Sequence, residues 1–332
     1  MSRLPIRFAG LLLMMVLTLL ALACGLVFGS KTLTFRDLLH YWFSDGLVQN
    51  YADLVVAGRI PRTLAAACCG AALGLSGALM QGLTRNPLGD PGLLGVNAGA
   101  AAAIVLSASV PWLAGVSEFW LALAGAFVVA LLICSIGLGR RTSYARLVLA
   151  GAAVAAALQA YVSAASQLNP ILFDHFRFWG SGSFGAATLP QVYGMLPFFL
   201  PASLAAVALG YHLNLIALGS DTAKALGANV LLIQAAVLTA AAVLAGVAVA
   251  VAGPITFVGL GAAHIVRMWT GNDYRWLLPY SFFAGAVLLV LSDVVARTVV
   301  APGEVPTGII TALAGAPLLY LAAMRLPKGR KA

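Results

Sequence analysis

Charge is what this chain has least of. Only 9% of its 332 residues are Asp, Glu, Lys or Arg, where a soluble domain carries roughly 25%. A water-soluble fold buries many apolar residues but still needs a charged skin. With 62% hydrophobic residues this chain has no such skin, so lipid must cover much of its surface. Cysteine is scarce too. Cys24, Cys68, Cys69 and Cys134 lie inside apolar runs, with no C-x-x-C spacing and no His nearby. That pattern excludes a zinc ribbon or a dithiol motif and leaves small buried hydrophobes. No G-x-x-x-x-G-K-[ST] stretch occurs, so the chain has no phosphate-binding loop of its own, and any use of ATP would require a partner to bind it. No catalytic constellation appears: His40, His175, His212 and His264 are scattered at different depths, and the acids lie mostly at helix ends. The middle of nearly every apolar stretch is uncharged, which argues against a proton- or sodium-coupled carrier.

What is present is a series of uncharged stretches long enough to span a bilayer. They predict an all-α, polytopic membrane protein with about ten transmembrane helices, near 8–28, 63–83, 92–110, 119–138, 147–167, 191–210, 230–251, 256–269, 277–297 and 306–324. Nothing marks a separate soluble domain, so residues 1–332 read as a single transmembrane domain. The first run follows Arg3 and Arg7. The A-x-A-like Ala21-Leu22-Ala23 is a weak cleavage signal, but the run is longer than the apolar part of a signal peptide and reads as a retained helix.

The net charge of +9 does not point to nucleic acid, because the basic residues punctuate the ends of apolar stretches and suit anchoring to lipid headgroups. Arg3, Arg7, Arg85, Arg140, Arg141, Arg146, Lys224, Arg267, Arg275 and the C-terminal Arg325, Lys328, Arg330 and Lys331 fall on one side. Lys31, Arg36, Arg59, Arg62, Arg177 and Arg297 fall on the other, with most of the acids. The positive-inside rule then places both termini in the cytoplasm.

Local patterns add detail. Gly70 and Gly74 form a GxxxG with Gly77 following, and Gly95 and Gly99 form a second, spacing that lets helix backbones approach closely in lipid. Residues 213–230 read as two short helices, Leu213–Leu218 closing at Gly219 and Asp221–Leu226 closing at Gly227, with Ser220 able to cap the second. A compact elbow of this kind suits docking to another protein, although on the residues alone an ordinary connecting loop is the favoured reading. Asn86, Pro87, Asp90 and Pro91 build a rigid non-helical turn. Arg59 and Arg62 share one helix face. They suit headgroup anchoring or pairing with carboxylates of a docking protein, and Asp293 and Arg297, four apart, suit pairing with each other.

Longer motifs carry a resemblance. Arg59-Ile-Pro-Arg62, Gly77-Ala-Leu-Met-Gln81, Arg85-Asn-Pro-Leu-Gly-Asp-Pro-Gly-Leu-Leu-Gly-Val96 and the Leu218–Gly227 segment resemble the iron-siderophore, haem and vitamin B12 permease family of ABC importers. So does the block from Ala252-Gly-Pro-Ile-Thr-Phe through Asp293, Arg297 and Glu304-Val-Pro-Thr-Gly308 to Gly315-Ala-Pro317. Leu83-Thr-Arg-Asn-Pro-Leu88, Gly95-Val-Asn-Ala-Gly-Ala100, Leu168-Asn-Pro and Phe176-Arg-Phe-Trp179 resemble the ferric-enterobactin type, which implies a ferric siderophore as cargo, with haem or cobalamin as the alternative and an ion-coupled carrier the weaker one. The resemblance implies a type II ABC importer permease in the bacterial cytoplasmic (inner) membrane, without a cofactor and without enzymatic activity of its own. It implies two copies of an ATP-binding subunit, a second permease, identical or related, and a periplasmic or lipid-anchored substrate-binding protein. It assigns Leu218, Gly219, Ser220, Asp221, Ala223, Leu226 and Gly227 to ATPase coupling, and Arg59, Arg62 and Arg297 to binding-protein docking. Gln81, Asn86, Pro87 and Pro91 fall at a pathway or gating turn. One departure stands out: Gly261-Ala-Ala-His264 occupies a place where the family usually has a proline before the histidine, so a less rigid entry into the eighth span is expected.

Overall fold

In a computed structural model, residues 4–43, 47–113, 115–137 and 144–324 are described. Arg3, Arg140, Arg141 and the basic residues from Arg325 onward, which weighed in the orientation argument, lie outside them. Among the described residues the fold is all-helical: α1 (Leu4–Val27), α2 (Phe35–Phe43), α3 (Tyr51–Thr84), α4 (Val96–Ser107), α5 (Glu118–Gly137), α6 (Tyr144–Leu168) and α7 (Pro170–Trp179) come first. They are followed by α8 (Leu189–Ala208), α9 (Gly210–Ala217), α10 (Ser220–Ala225), α11 (Val230–Ala252), α12 (Val258–Thr270), α13 (Tyr274–Thr298) and α14 (Thr307–Met324). Seven, α1, α3, α5, α6, α8, α11 and α13, are long and apolar enough to cross a membrane. With the shorter α4, α12 and α14 they account for the ten expected spans.

The largest departure from the sequence reading is α3. It runs 34 residues, about 51 Å at 1.5 Å per residue, and starts well before the expected residue 63. Arg59 and Arg62, expected at the beginning of this span, are buried well inside the helix, together with Asp53 and Pro61. Its start is fixed by a capping box: Asn50 Oδ1 accepts from the Asp53 N–H (2.9 Å) while Asp53 Oδ2 accepts from the Asn50 N–H (3.1 Å). The stretch at 92–110 also differs, because Pro91–Leu94 forms a 3-10 turn and Gly95 turns left-handed (φ 66°) before the 12-residue α4 begins. Gly95 therefore serves the turn, while Gly99 meets Gly125 of α5 backbone to backbone. The departure at Ala263 lies elsewhere than expected. Entry into α12 is made by Gly253 and Phe257, both at positive φ, and Ala263 is fully buried within the helix interior, where proline would remove a backbone donor.

The centre of the bundle is α3, flanked by α13, α11 and α12; α11 also packs on α5 and α8, and α4 lies between α5 and α6. Between helices already surrounded by hydrocarbon the hydrophobic effect gives little, so close van der Waals fit and interhelical hydrogen bonds must hold them. Both are visible. Ser76 Oγ donates to the Ala241 carbonyl of α11 at 2.7 Å. A β-carbon on Gly74 would overlap the Ser281 carbonyl oxygen of α13, and one on Gly70 or Gly285 would overlap the other's backbone. Replacing Gly74 by Leu therefore has to separate α3 from α13. We expect Gly74→Leu to lower stability by about 3 kcal/mol, the upper range for an overpacked core, seen as an earlier thermal transition of the purified protein, with Gly74→Ala intermediate.

Candidate functional site

Three features at different levels of the bundle carry the candidate residues. The first is an ionic cluster at the end formed by the start of α3 and the end of α13. Arg62 faces Asp293 through Nε (3.1 Å to both carboxylate oxygens) and Nη2 (3.0 Å), and its Nη1 donates to Glu304 Oε2 at 2.7 Å. Arg297, one helical turn beyond Asp293, pairs with it at 3.2 Å and donates to the Gly25 carbonyl of α1 at 3.0 Å. Thr307, the first residue of α14, donates to the same Asp293 carboxylate at 3.0 Å. Arg59 points aside, donating to the carbonyls of Leu26 (3.0 Å) and Val27 (2.8 Å) and of Lys31. The three arginines proposed from sequence thus meet at one place, and the pairing of Asp293 with Arg297 is present. All three are buried, at 6%, 8% and 2% exposure, so their donors serve the protein itself. Arg297 Nη1 is buried without a hydrogen-bond partner. Glu304, whose side chain is 40% exposed, carries the cluster to the surface.

The second feature is the elbow at the opposite end of α13. Its helices are α9 and α10, Gly210–Ala217 and Ser220–Ala225, each shifted slightly towards the N-terminus of the expected range. Ser220 does not cap: Gly219 stands at the N-cap with φ 117° and has no side chain to offer, and Ser220 is the first helical residue. Gly227 closes the elbow at φ 82°. Leu213, Ile216 and Ala223 are fully buried beneath it, while Leu218 and Leu226 stand 63% and 61% exposed and Asp221 pairs loosely with Lys224 at 3.7 Å. An exposed pair of leucines on a polar elbow outside the apolar spans is a ready contact surface for another protein.

Beneath the elbow, Asp273 gathers charges from three elements. It caps α13 through the Arg275 N–H (3.2 Å), and accepts from Arg7 of α1 (3.1 Å), from the Arg275 guanidinium (3.0 Å twice) and from Asn214 of α9 (2.8 Å). The Arg275 hydrogen bonds, with those from Asn214 and the backbone, hold its carboxyl well below the usual carboxylate range against the opposing effect of burial.

The third feature is a polar recess between α6 and α7. Gln159, Ser163, Ser166 and Gln167, at helical spacing on α6, line a recess of about 390 Å³ with Phe173, Phe176 and Arg177. A neighbouring recess of about 450 Å³ shares Gln159 and Phe176 and reaches Gly92, Gly95 and Asn97. Ser166 Oγ is buried there without a hydrogen-bond partner. The sequence reading passed over this stripe, although its i, i+4, i+7, i+8 spacing was visible. The four residues assigned to a gating turn are not brought together. Asn86 receives the Leu88 N–H at 3.0 Å and opens onto a separate recess of about 430 Å³ near Leu149. Pro87 is half-buried and Pro91 buried at the start of the 3-10 turn. Gln81 lies within α3, accepting from Arg267 of α12 at 2.9 Å.

The sequence profile of the FecCD transport family matches residues 14–325. The chain belongs to the FecCD transport family. Among relatives of FecCD type, it is 42% identical to the ferric enterobactin transport system permease protein FepD of Escherichia coli, over 98% of this chain and 96% of that one. It is 37% identical to the hemin transport system permease protein HmuU of Yersinia pestis, with 92% of each chain covered, and 37% identical to the vitamin B12 import system permease protein BtuC of Citrobacter koseri, covering 91% and 90%. The solved structure of a metal-chelate type ABC transporter in an inward-facing conformation superposes with a TM-score of 0.82 at 29% identity, covering 98% of this chain and all of that one. This FecCD chain is accordingly a multi-pass permease subunit of an ABC importer, a transport component rather than an enzyme.

Asp293 should be the side chain this end can least do without. Asp293→Ala leaves Arg62 and Arg297 buried with their shared countercharge gone, and we expect a loss of about 3–5 kcal/mol, read from thermal unfolding, with Asp293→Asn retaining part of the hydrogen bonding. At the other end the sign of the pH dependence follows from Asp273. Its folded pKa is depressed, so its contribution is complete above the unfolded value of about 3.9 and is lost only as pH falls below it. A melting-temperature profile should therefore be flat with respect to this group from neutral pH to about 5, and Asp273→Asn should remove its part of the decline at more acid pH.

Proposed function

We propose that the whole chain, residues 1–332, is one permease domain that passes a ferric siderophore into the cytoplasm, driven by ATP hydrolysed on a partner subunit. The observation that carries the cargo is the full-length likeness to a ferric enterobactin permease, 42% identical over 327 residues. The haemin and vitamin B12 permeases at 37% make a bulky chelate or macrocycle the shared class. The geometry agrees with such a cargo. The outward residues of α1 are Leu12, Leu13, Leu19 and Leu20, suited to lipid, whereas α6 exposes Ala152, Ala153, Ala156, Gln159, Ala160 and Ser163. Small and polar side chains on an uncovered face of a spanning helix suit a water-filled passage or a second subunit better than acyl chains. In our reading α6 and the recess against α7 line the pathway, between this chain and a second permease, identical or related.

The remaining assignments follow from the two ends of α13. The elbow, through Leu218 and Leu226, seats on the ATP-binding subunit, one for each permease. The ionic cluster end faces the binding protein. Arg59, Arg62 and Arg297 act there by holding that face in shape, and Glu304, paired with Arg62, is the group of the cluster that reaches the surface. Basic residues Arg7, Arg85, Lys224, Arg267 and Arg275 cluster towards the elbow, which supports a reading with that end and both termini in the cytoplasm. ATP acts by binding one conformation of the complex better than the other.

Two measurements test this. Reconstituted in proteoliposomes with its ATPase and binding protein, with and without a second permease, the chain should take up labelled ferric siderophore only when ATP and all partners are present, in preference to haemin or cobalamin. Uptake driven by a proton or sodium gradient without ATP would overturn the reading, and a preference for haemin or cobalamin would change the cargo. In pull-downs, Leu226→Asp should lower co-purification of the ATPase at least tenfold, equivalent to about 1.4 kcal/mol of binding, because a charge replaces an apolar contact.

A further inference from the structure

The elbow and the ionic cluster sit at opposite ends of α13, some 30 Å apart along its axis for the residues between Asp273 and Asp293. Gly210 of α9 lies close against the backbone of Tyr274 and Arg275, and beside that packing one side chain hydrogen-bonds the elbow to the helix. Asn214, in the middle of α9, donates through Nδ2 to Asp273 at 2.8 Å and accepts through Oδ1 from the Tyr274 N–H at 2.9 Å. Both polar atoms of the amide are thus committed to the N-cap and first residue of α13. Its neighbours Leu213 and Ile216 are fully buried hydrophobes, and asparagine favours caps and turns over helix interiors. An Asn here is explained by the pair of bonds it makes, one given and one received. Aspartate has no donor for Asp273, and alanine has neither atom.

The rest of α13 is built to carry a displacement. Asp273 is also gripped by Arg7 and Arg275. Tyr280 Oη donates to the Arg7 carbonyl at 2.6 Å and the Phe8 ring meets Trp276 edge-on at 5.0 Å, so α1 starts locked to α13. Midway along its length α13 lies backbone to backbone on α3, where Gly70 and Gly74 face Ser281 and Gly285. The far end of α3 returns to the elbow, where Arg85, itself at positive φ, donates to the Ile216 carbonyl at 2.5 Å. Packed helices of this kind shift as units rather than deform.

We propose that Asn214 is the positioning residue that gears the elbow to α13, so that movement imposed on α9 and α10 is delivered through a rigid α3–α13 pair to the Arg62–Asp293–Arg297 cluster. The proposal rests on the reading of the elbow as the ATPase seat. It is distinct from that seat, because Asn214 faces inward to α13 while Leu218 and Leu226 face out.

The test separates seating from gearing in the full complex in proteoliposomes. Co-purification of the ATPase reads seating; siderophore taken up per ATP hydrolysed, and stimulation of hydrolysis by the binding protein, read gearing. Asn214→Ala should keep the ATPase attached and hydrolysing, while uptake per ATP falls at least tenfold and binding-protein stimulation is lost. Asn214→Asp, which sets two carboxylates face to face, should do the same. The exchanged pair Asn214→Asp with Asp273→Asn restores one donor and one acceptor, and should recover at least half of the wild-type uptake per ATP. Wild-type coupling in Asn214→Ala, loss of the ATPase from that variant, or a folded exchanged pair that stays uncoupled would each overturn the proposal. If Leu226→Asp leaves the ATPase bound, the seat has been misplaced, and that failure is read separately from the gearing.

Discussion

Along part of the seam between α3 and α13 no side chain stands. Gly70 and Gly74 on one helix and Gly285 on the other bring backbone against backbone, with the Ser281 carbonyl filling the space a methyl would need. In a bundle surrounded by hydrocarbon this closeness substitutes for the hydrophobic force that holds soluble cores. It also fixes everything attached to the two helices. The start of α3 supplies Arg59 and Arg62, the end of α13 supplies Asp293 and Arg297, and their tight seam makes the ionic cluster possible. At the other extremity the same pair presents Arg85 and Asp273 to the elbow.

The cluster shows how charge is kept where lipid would expel it. Three guanidiniums meet two carboxylates, and the excess is spread over backbone carbonyls of Leu26, Val27 and Gly25 and the hydroxyl-bonded Asp293. Buried ions of this sort bring little net stability but enforce one arrangement, since any other leaves a charge alone. That suits the proposed docking face for a binding protein. The elbow follows the opposite logic: its interior is apolar and closed, and Leu218 and Leu226 stand exposed on it, the contact proposed for the ATP-binding subunit.

How much of this was readable in the sequence depended on whether a feature is local. The spans follow from hydropathy, and the glycines that close the elbow at 219 and 227 are set by the left-handed or extended positive-φ backbone they adopt. The long family motifs carried the identification. Two things were missed because they depend on contacts between distant segments. Arg59 and Arg62 looked like the beginning of a helix, and only their contacts with α1, α13 and the loop at Glu304 reveal them as its interior. Arg59 suited a headgroup anchor, and carbonyls some thirty positions away turn it inward, as the distant carboxylates of Asp293 and Glu304 do for Arg62. Ser220 failed as a cap for a smaller reason, because the chain turns one residue earlier at Gly219. The polar stripe on α6 was legible by spacing, yet its meaning needed α7 folded over it.

The central claim is that α3 and α13 move as one body linking the elbow to the ionic cluster. Distances between spin labels, in the reconstituted complex with and without ATP, test it most directly. One label would replace Tyr211 on α9 and a second Val299 beyond α13, positions 57% and 64% exposed, with a third at Leu149 on α6, 70% exposed. The account predicts that the Tyr211–Val299 distance holds to within about 2 Å, the scale of an ordinary helix shift, while the distance from Val299 to Leu149 changes by more. An elbow that moves relative to Val299 while Val299 and Leu149 stay fixed would contradict it.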